Sequence, residues 1–401
     1  FQGDVSTSLP AKTPFLKISS PEINTMMSFI NKKDTGQLMV SVMGDNDTIR
    51  KTYVLDRGVY DKPKGEVIRP AAIPAILDFD TAKYPRNRLG LAEWTVNKDN
   101  PLTARVFVNQ VWQSIFGRGL VKTTGDFGMQ GELPTHPALL DWLAVDFMQH
   151  GWDIKRLMKM IVSSATYRQS SKITEAKLQA DPENIYLSRS PRFRYAAEIV
   201  RDHVLSSSGL LVKEIGGPSV KPYQPKGLWE SASSGRGVLA TYRQDHGRSL
   251  YRRGMYTFIK LTVPPPSMII FDASNRDQCE VKRSKTSTPL QALVMLNDPA
   301  VLEASRVLAQ KLLSEKLGPE ESLRKAFRLI ICRKPKEEEL KILSAYRQNQ
   351  LSQFRNKSLN AAVTLKVGEY PADASLDADE TAAMMKTISA IYNLEEAITK
   401  S

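Results

Sequence analysis

The feature that most constrains this chain is a helix-opening signature that recurs along it, a capping residue followed at once by proline. It stands at Asn100-Pro101, Thr288-Pro289 and Asp298-Pro299, and Pro137 and Pro319 begin runs of the same kind. The side-chain oxygen of a cap accepts from a free N–H of the first turn. Proline loses nothing at the first helical position, where its absent N–H would have had no partner. Proline deeper in a helix would break it, so this punctuation predicts separate helices with defined starts.

The residues behind these starts repeat with a helical period. Val108, Val111, Trp112, Ile115 and Phe116 fall on one face, with Gly117 as the stop. Leu139, Leu140, Leu143 and Phe147 do the same ahead of Gly151. Asp153 is placed to cap a third run carrying Ile154, Leu157, Met158, Ile161 and Val162. Three helices joined by short turns form a compact helical unit. A fourth helix is predicted over roughly 194–208 with Ile199, Val200 and Val204 inward. Further helices are predicted behind Pro289, Pro299, Pro319 and Pro335, and "MMKTISAIYNLEEAIT" reads as a closing helix.

The β signal is minor. "QLMVSVMG" and "KTYVLDRG" are short β-rich runs in the first 80 residues, and "MYTFIKLTV" alternates like a strand until "PPP" stops it. The predicted fold class is therefore mainly α, a multi-helix globular domain with a small β component near the N-terminus and around 250–263. The division predicted is a tag remnant at 1–3 ("FQG"), a mixed β/extended segment at 4–80 and a predominantly helical domain at 81–401. The last two are read as one compact unit, with an internal loop at 214–238 and a mobile loop at 355–380.

With 401 residues and 41% hydrophobic content, the chain can bury a large core. No apolar run approaches the ~20 residues of a membrane span, and no signal peptide is visible. Cys279 and Cys332 belong to no CxxC and read as two buried free thiols, or one disulfide in an exported protein. A formal net charge of +13 favours an acidic partner. The excess concentrates between Arg236 and Thr286, where ten Lys/Arg stand against four Asp/Glu.

Three clusters carry candidate chemistry. Asp126, Glu132 and His136 lie in "TTGDFGMQGELPTHP" with three glycines. Two carboxylates set ~5–9 Å apart could hydrolyse a glycoside, with His136 sharing proton transfer. The same residues also suit a structural loop that starts a helix, with Thr135 or His136 as its cap, or a ligand or ion site. Arg105, Asn109 and Gln113 recur every four residues along one stripe, and Arg168 follows in "TYRQSS". They read as a polar network or as an anion pocket. The basic segment interleaves rings with cations through Tyr251, Arg252, Arg253 and Tyr256, the pattern of a surface that stacks on sugars or bases and pairs with acids. The loop "FDASNRDQCEVKRSKTSTP" adds Asp272, Asn275, Arg276, Asp277 and Arg283. No GxSxG elbow, P-loop or Rossmann fingerprint is present.

The ordered series "NPLTARVFVNQVWQSIFGRGLVKTTGDFGMQGELPTHPALLDWLA", "GWDIKRLMKMIVSSATYRQSS", "RYAAEIVRD", "GGPSV" and "PPPSMIIFDASNRDQCEVKRSKTSTPLQALVMLNDP" resembles domain of unknown function 1553. That domain is the C-terminal module of planctomycete-type, cytochrome-c-containing exported proteins. The resemblance implies export to the periplasm or cell surface and upstream cytochrome-type domains as partners. It implies no cofactor in this chain, since haem would belong to a segment upstream and no CxxCH is present here. It also ranks acidic polysaccharide ahead of nucleic acid. Three functions are set against one another: an accessory or binding module that uses Arg105, Asn109, Arg168, Tyr251, Arg252, Arg253, Tyr256 and Arg276, a glycan hydrolase at Asp126, Glu132 and His136 with Asp272 as a possible addition, and a scaffold that docks companion domains.

Overall fold

The computed structural model describes residues 21, 42–44, 50–232, 240–274 and 276–400. The tag remnant, the first part of "QLMVSVMG", Arg236 and Asn275 lie outside these residues. Among the described residues, fourteen α-helices stand beside two two-stranded antiparallel sheets, so the domain is mainly α. The chain divides into two compact units, one ending at Trp94 and the other comprising Ala75–Leu77 and Thr95–Ser401.

The first unit holds β1 (Thr52–Leu55), β2 (Pro63–Ile68) and most of α1 (Arg88–Thr95). β1 lies within the expected run "KTYVLDRG" and pairs with β2 through Thr52↔Ile68, Val54↔Lys64 and Leu55↔Pro63.

In the second unit Pro137, Pro289, Pro299 and Pro319 open helices as expected, whereas Pro101 lies two residues ahead of its helix and the Thr288 side chain makes no cap bond. Asn100 Oδ1 accepts from Leu102 N at 3.0 Å and Thr103 N at 3.3 Å, ahead of α2 (Thr103–Phe116), and Gly117 closes that helix at φ 76°. α3 (Pro137–Gln149) opens on Pro137, and Asp153 caps α4 (Ile154–Ser163) by accepting from Arg156 N at 3.0 Å. A second cap is corrected. Neither Thr135 nor His136 caps α3, because Thr135 Oγ1 donates to Leu120 O and His136 Nδ1 bonds Thr135 Oγ1.

Val108, Trp112, Phe116, Leu140, Leu143, Phe147, Leu157 and Ile161 build the core of this three-helix unit. A fully buried Leu or Phe contributes about 1.5–3 kcal/mol. The stripe predicted for α4 is wider than the face it buries. Ile154, Met158 and Val162 are exposed, because α4 meets the core along Leu157 and Ile161, with Met160 packed beside them.

Next come α5 (Glu175–Ala180), β3 (Phe193–Arg194), α6 (Ala197–Ser208), α7 (Leu228–Ser231) and α8 (Pro266–Ile270). On α6, Val200 and Val204 are buried as expected but Ile199 faces out. The stretch 250–263 contributes isolated bridges, Val212↔Arg252, Val220↔Thr257 and Lys260↔Val263, around a 3-10 turn at Gly254–Tyr256.

The largest core gathers α6 with α9 (Pro289–Asn297), α10 (Pro299–Ser314), α11 (Pro319–Ile331), α12 (Glu337–Arg355) and α14 (Ala378–Tyr392). α10 is buried on nearly every side, so its polar residues Glu303, Arg306 and Gln310 are interior groups that need partners. α13 (Ala361–Thr364) lies inside the stretch 355–380 that was expected as a mobile loop. Further along it, the carbonyls of Val367 and Tyr370 accept from the guanidinium of Arg306.

The closing helix is shorter than predicted. α14 stops at Tyr392, a 3-10 turn follows at Glu395–Ile398, and β4 (Thr399–Lys400) pairs with β3. Cys279 and Cys332 are free thiols, and both are exposed rather than buried, Cys332 as the left-handed cap of α11.

Candidate functional site

The acid-rich loop before α3 holds its own shape. Asp126 Oδ1 accepts from Gly128 N at 2.7 Å, Thr123 Oγ1 donates to Asp126 O at 2.9 Å, and Glu132 N donates to Thr123 Oγ1 at 2.9 Å. A Cβ on Gly131 would collide with the Asp126 carbonyl, which accounts for the glycine there. Asp126 and Glu132 are exposed, Glu132 lies 3.5 Å from Lys122 Nζ, and the His136 ring stands edge-on to Tyr186 at 6.3 Å.

The stripe on α2 separates into different roles. Asn109 is fully buried and grips Val121, donating to its carbonyl at 3.0 Å and accepting from its N–H at 2.9 Å. Arg105 pairs with Asp141 at 2.6 Å and donates to Pro101 O. Arg168 and Arg276 are exposed, and Arg276 adopts φ 63° beside a bond from its N–H to Ser274 Oγ.

The Arg/aromatic segment was expected as a wet face, yet its centre lies inside the fold. Tyr251 is 8% exposed and Arg252 7%. Tyr251 Oη donates to Glu303 Oε1 at 2.9 Å, and Tyr223 Oη donates to Glu303 Oε2 at 3.0 Å. Burial raises both phenol pKa values, and the Glu303 carboxylate raises them further. Arg252 collects the carbonyls of Pro218, Glu214 and Gly216, while its guanidinium lies 3.8 Å from the Tyr256 ring centroid. Tyr256 Oη accepts from Gly216 N at 2.7 Å. Together these two side chains tie down the "GGPS" turn, whose backbone groups lie outside any helix or sheet. Arg253 is half-exposed, 3.9 Å from Asp202.

The groove with the most open chemistry lies elsewhere. It has a volume of about 690 Å³ and runs between the C-terminal half of α2, β3 with the start of α6, and the loop 271–285. Gln110 and Gln113 line one wall, Phe193, Arg194 and Ile199 another, and Asp272, Lys282, Arg283 and Lys285 a third. This explains the outward Ile199, which is part of the groove.

Arg283 Nη1 donates to both oxygens of Glu198, at 2.8 and 3.0 Å, which holds the loop against α6. Asp272 accepts from Thr286 N and Oγ1. Arg194 donates to Ser287 Oγ at 2.6 Å. Lys285 Nζ lies 3.8 Å from the Phe193 ring centroid, and Lys400 Nζ lies 5.6 Å from the same ring. Burial lowers the Lys285 pKa, and the neighbouring Lys282 charge lowers it further; burial also lowers that of Lys400. Lys285 lines the groove, whereas Lys400 does not and donates to Ile115 O at 3.2 Å.

None of the eight predicted ligand residues and none of the three predicted catalytic residues lines this groove. Gln113, Asp272 and Arg283 do, and each stood in a quoted motif. Arg194, Ile199, Lys282 and Lys285 were not singled out for chemistry. The "KRSK" run at 282–285 was the available signal, inside the most basic stretch of the chain.

The family model described as PSD1, protein of unknown function (DUF1553), matches residues 87–347, and the chain belongs to that family. No curated protein and no solved structure matches. Among the described residues no group of three or more His, Cys, Asp or Glu side chains is arranged to hold a metal ion, and no helix is long and apolar enough to cross a membrane.

Proposed function

We propose that this member of the PSD1 family is an accessory binding module of a larger exported, haem-carrying protein, and that it holds acidic polysaccharide in the groove between α2, β3–α6 and the loop 271–285. Covalent haem attachment does not fit this chain. Its two cysteines are 53 positions apart in sequence and form no CxxCH, so the upstream part of the protein would carry the cofactor.

One observation carries the reading: four cations, Arg194, Lys282, Arg283 and Lys285, line the groove against two lining carboxylates, Asp272 and Glu280. A carboxylate or sulfate would pair with Arg194 and Lys285. Glu198 does not neutralise the lysines, because both its oxygens bond Arg283. The groove has the volume of an ordinary ligand cleft.

Sulfated and uronate-rich polymers are expected to bind with an affinity that falls as salt rises. The variant Arg194→Ala/Lys285→Ala should weaken binding by about tenfold or more, since each lost charge-assisted bond contributes about 1.5–3 kcal/mol. Binding should fade as pH rises through the lowered Lys285 pKa, below the pH at which an ordinary surface lysine loses its charge. Titration calorimetry across salt and pH measures all three. Absence of any low-salt binding, or a double variant that binds like the parent, removes the proposal. Capture of the upstream domains by this chain with no polymer binding would instead select the scaffold reading.

A further inference from the structure

The walls of the groove between α2, β3–α6 and the loop 271–285 differ in chemistry. The side chains of Arg194, Lys282 and Lys285 can only donate hydrogen bonds, and they suit an anion. Gln110 and Gln113, on the C-terminal half of α2, carry no charge. Positions three apart on a helix share a face, so the two amides reach the groove side by side.

Both amides are open to a ligand. Gln110 is exposed and Gln113 half-buried, and among the described residues neither side-chain amide has a hydrogen-bond partner. Several polar neighbours are engaged. Ser114 Oγ donates to Val111 O at 2.7 Å, Asp272 accepts from Thr286, and Arg283 is held by Glu198. The buried Asn109, one position before Gln110, grips Val121. On the loop, Glu280 and Ser284 line the same groove and are exposed.

An amide donates and accepts, whereas a carboxylate or sulfate only accepts. A bare polyanion satisfies the cations and the amide N–H groups but leaves the amide oxygens and Glu280 to water. A sugar hydroxyl donates and accepts from one atom, so it can meet both halves of an amide. Glu280 favours the same ligand, since it repels a second anion and accepts from a hydroxyl.

We infer that Gln110 and Gln113 determine specificity in this groove, selecting an acidic sugar with free ring hydroxyls, a uronate, over a polyanion that offers charge alone. The inference rests on the groove being the polysaccharide site. Within it the acid group of the sugar lies toward Arg194 and Lys285, and its hydroxyls lie along α2.

The test titrates the full chain calorimetrically with oligogalacturonate and with polyacrylate carrying the same number of carboxylates. Both should bind at low salt, because both meet the cations. Oligogalacturonate should bind about tenfold tighter, the effect of two added hydrogen bonds. That ratio should persist as salt rises, since bonds to a neutral amide are not screened as charges are. Gln110→Met/Gln113→Met keeps the length and helix propensity of both side chains and removes the amides. It should bring oligogalacturonate down to the affinity of polyacrylate and leave polyacrylate unchanged. If the double variant fails to fold, Gln113→Met alone decides. Arg194→Ala/Lys285→Ala should instead weaken both polymers alike. Equal affinities in the parent, or a preference that survives the methionine substitutions, would overturn this inference and leave the proposed function standing. Binding of neither polymer would overturn both.

Discussion

The glycine-rich loop before α3 and the segment around Tyr251–Tyr256 are both dense in chemistry by sequence, and the fold uses them in opposite ways. The loop keeps its acids in water and holds its shape with backbone groups, Thr123 and the Asp126 side chain. The segment turns Tyr251 and Arg252 inward as fasteners, one for the buried Glu303 and the other for the carbonyls of the "GGPS" turn. The physical difference is where the unsatisfied groups lie. A surface loop can leave its backbone to water, whereas a carboxylate inside α10 and a turn crossed by a buried chain must be given donors by protein.

The sharpest way to break this contrast is at Glu303. Its carboxylate accepts from Tyr223, from Tyr251 and from Tyr370 N at 2.6 Å, and Arg306 stands 3.9 Å away. Glu303→Ala leaves a buried guanidinium less compensated and two hydroxyls unpaired. A loss of about 3–5 kcal/mol in urea unfolding is expected, by analogy with breaking other buried charged networks. Gly368 faces the same carboxylate at φ 75°, with no space for a Cβ. A Glu303→Ala protein as stable as the parent would mean that the inward segment is not a fastener.

Arg252 should have the next largest effect. Arg252→Ala removes donors from three carbonyls and the ring contact with Tyr256, and about 1–3 kcal/mol is expected because the freed carbonyls can partly rehydrate. Arg252→Lys should recover only part of this, since an ammonium cannot span several acceptors as a planar fork does. Full recovery by lysine would show that charge alone matters at this position.

The same contrast marks how far the sequence could be read. Helix starts at Asp153, Pro289 and Asp298 were legible because caps and prolines act within a few residues. The burial of Tyr251 and Arg252 was not, since their partners Glu303 and Pro218 lie 52 and 34 positions away. The groove was hidden for the same reason. Gln113, Arg194 and Lys285 come from three separate segments, and only the fold makes them neighbours. Composition located the basic stretch but could not say which of its cations face an open cleft and which close a turn. Ile199 shows the limit of periodicity, which finds apolar positions without distinguishing a core from a groove wall.

The smallest predicted effect lies at Asp126. Its role in the loop is to accept from Gly128 N, and asparagine retains an acceptor oxygen at that position. Asp126→Asn should therefore shift stability by no more than about 0.5 kcal/mol, whereas Gly131→Ala, which drives a methyl group into the Asp126 carbonyl, should distort the loop measurably. The pair Asp126→Asn/Glu132→Gln then separates the two functions proposed for a protein of this composition. Neither side chain lines the basic groove, so polymer binding should persist in the double variant. Loss of a glycan-cleaving activity in that folded, polymer-binding variant would return chemistry to the exposed loop, because the substitutions remove ionisable carboxylates while preserving the hydrogen bonds that shape it.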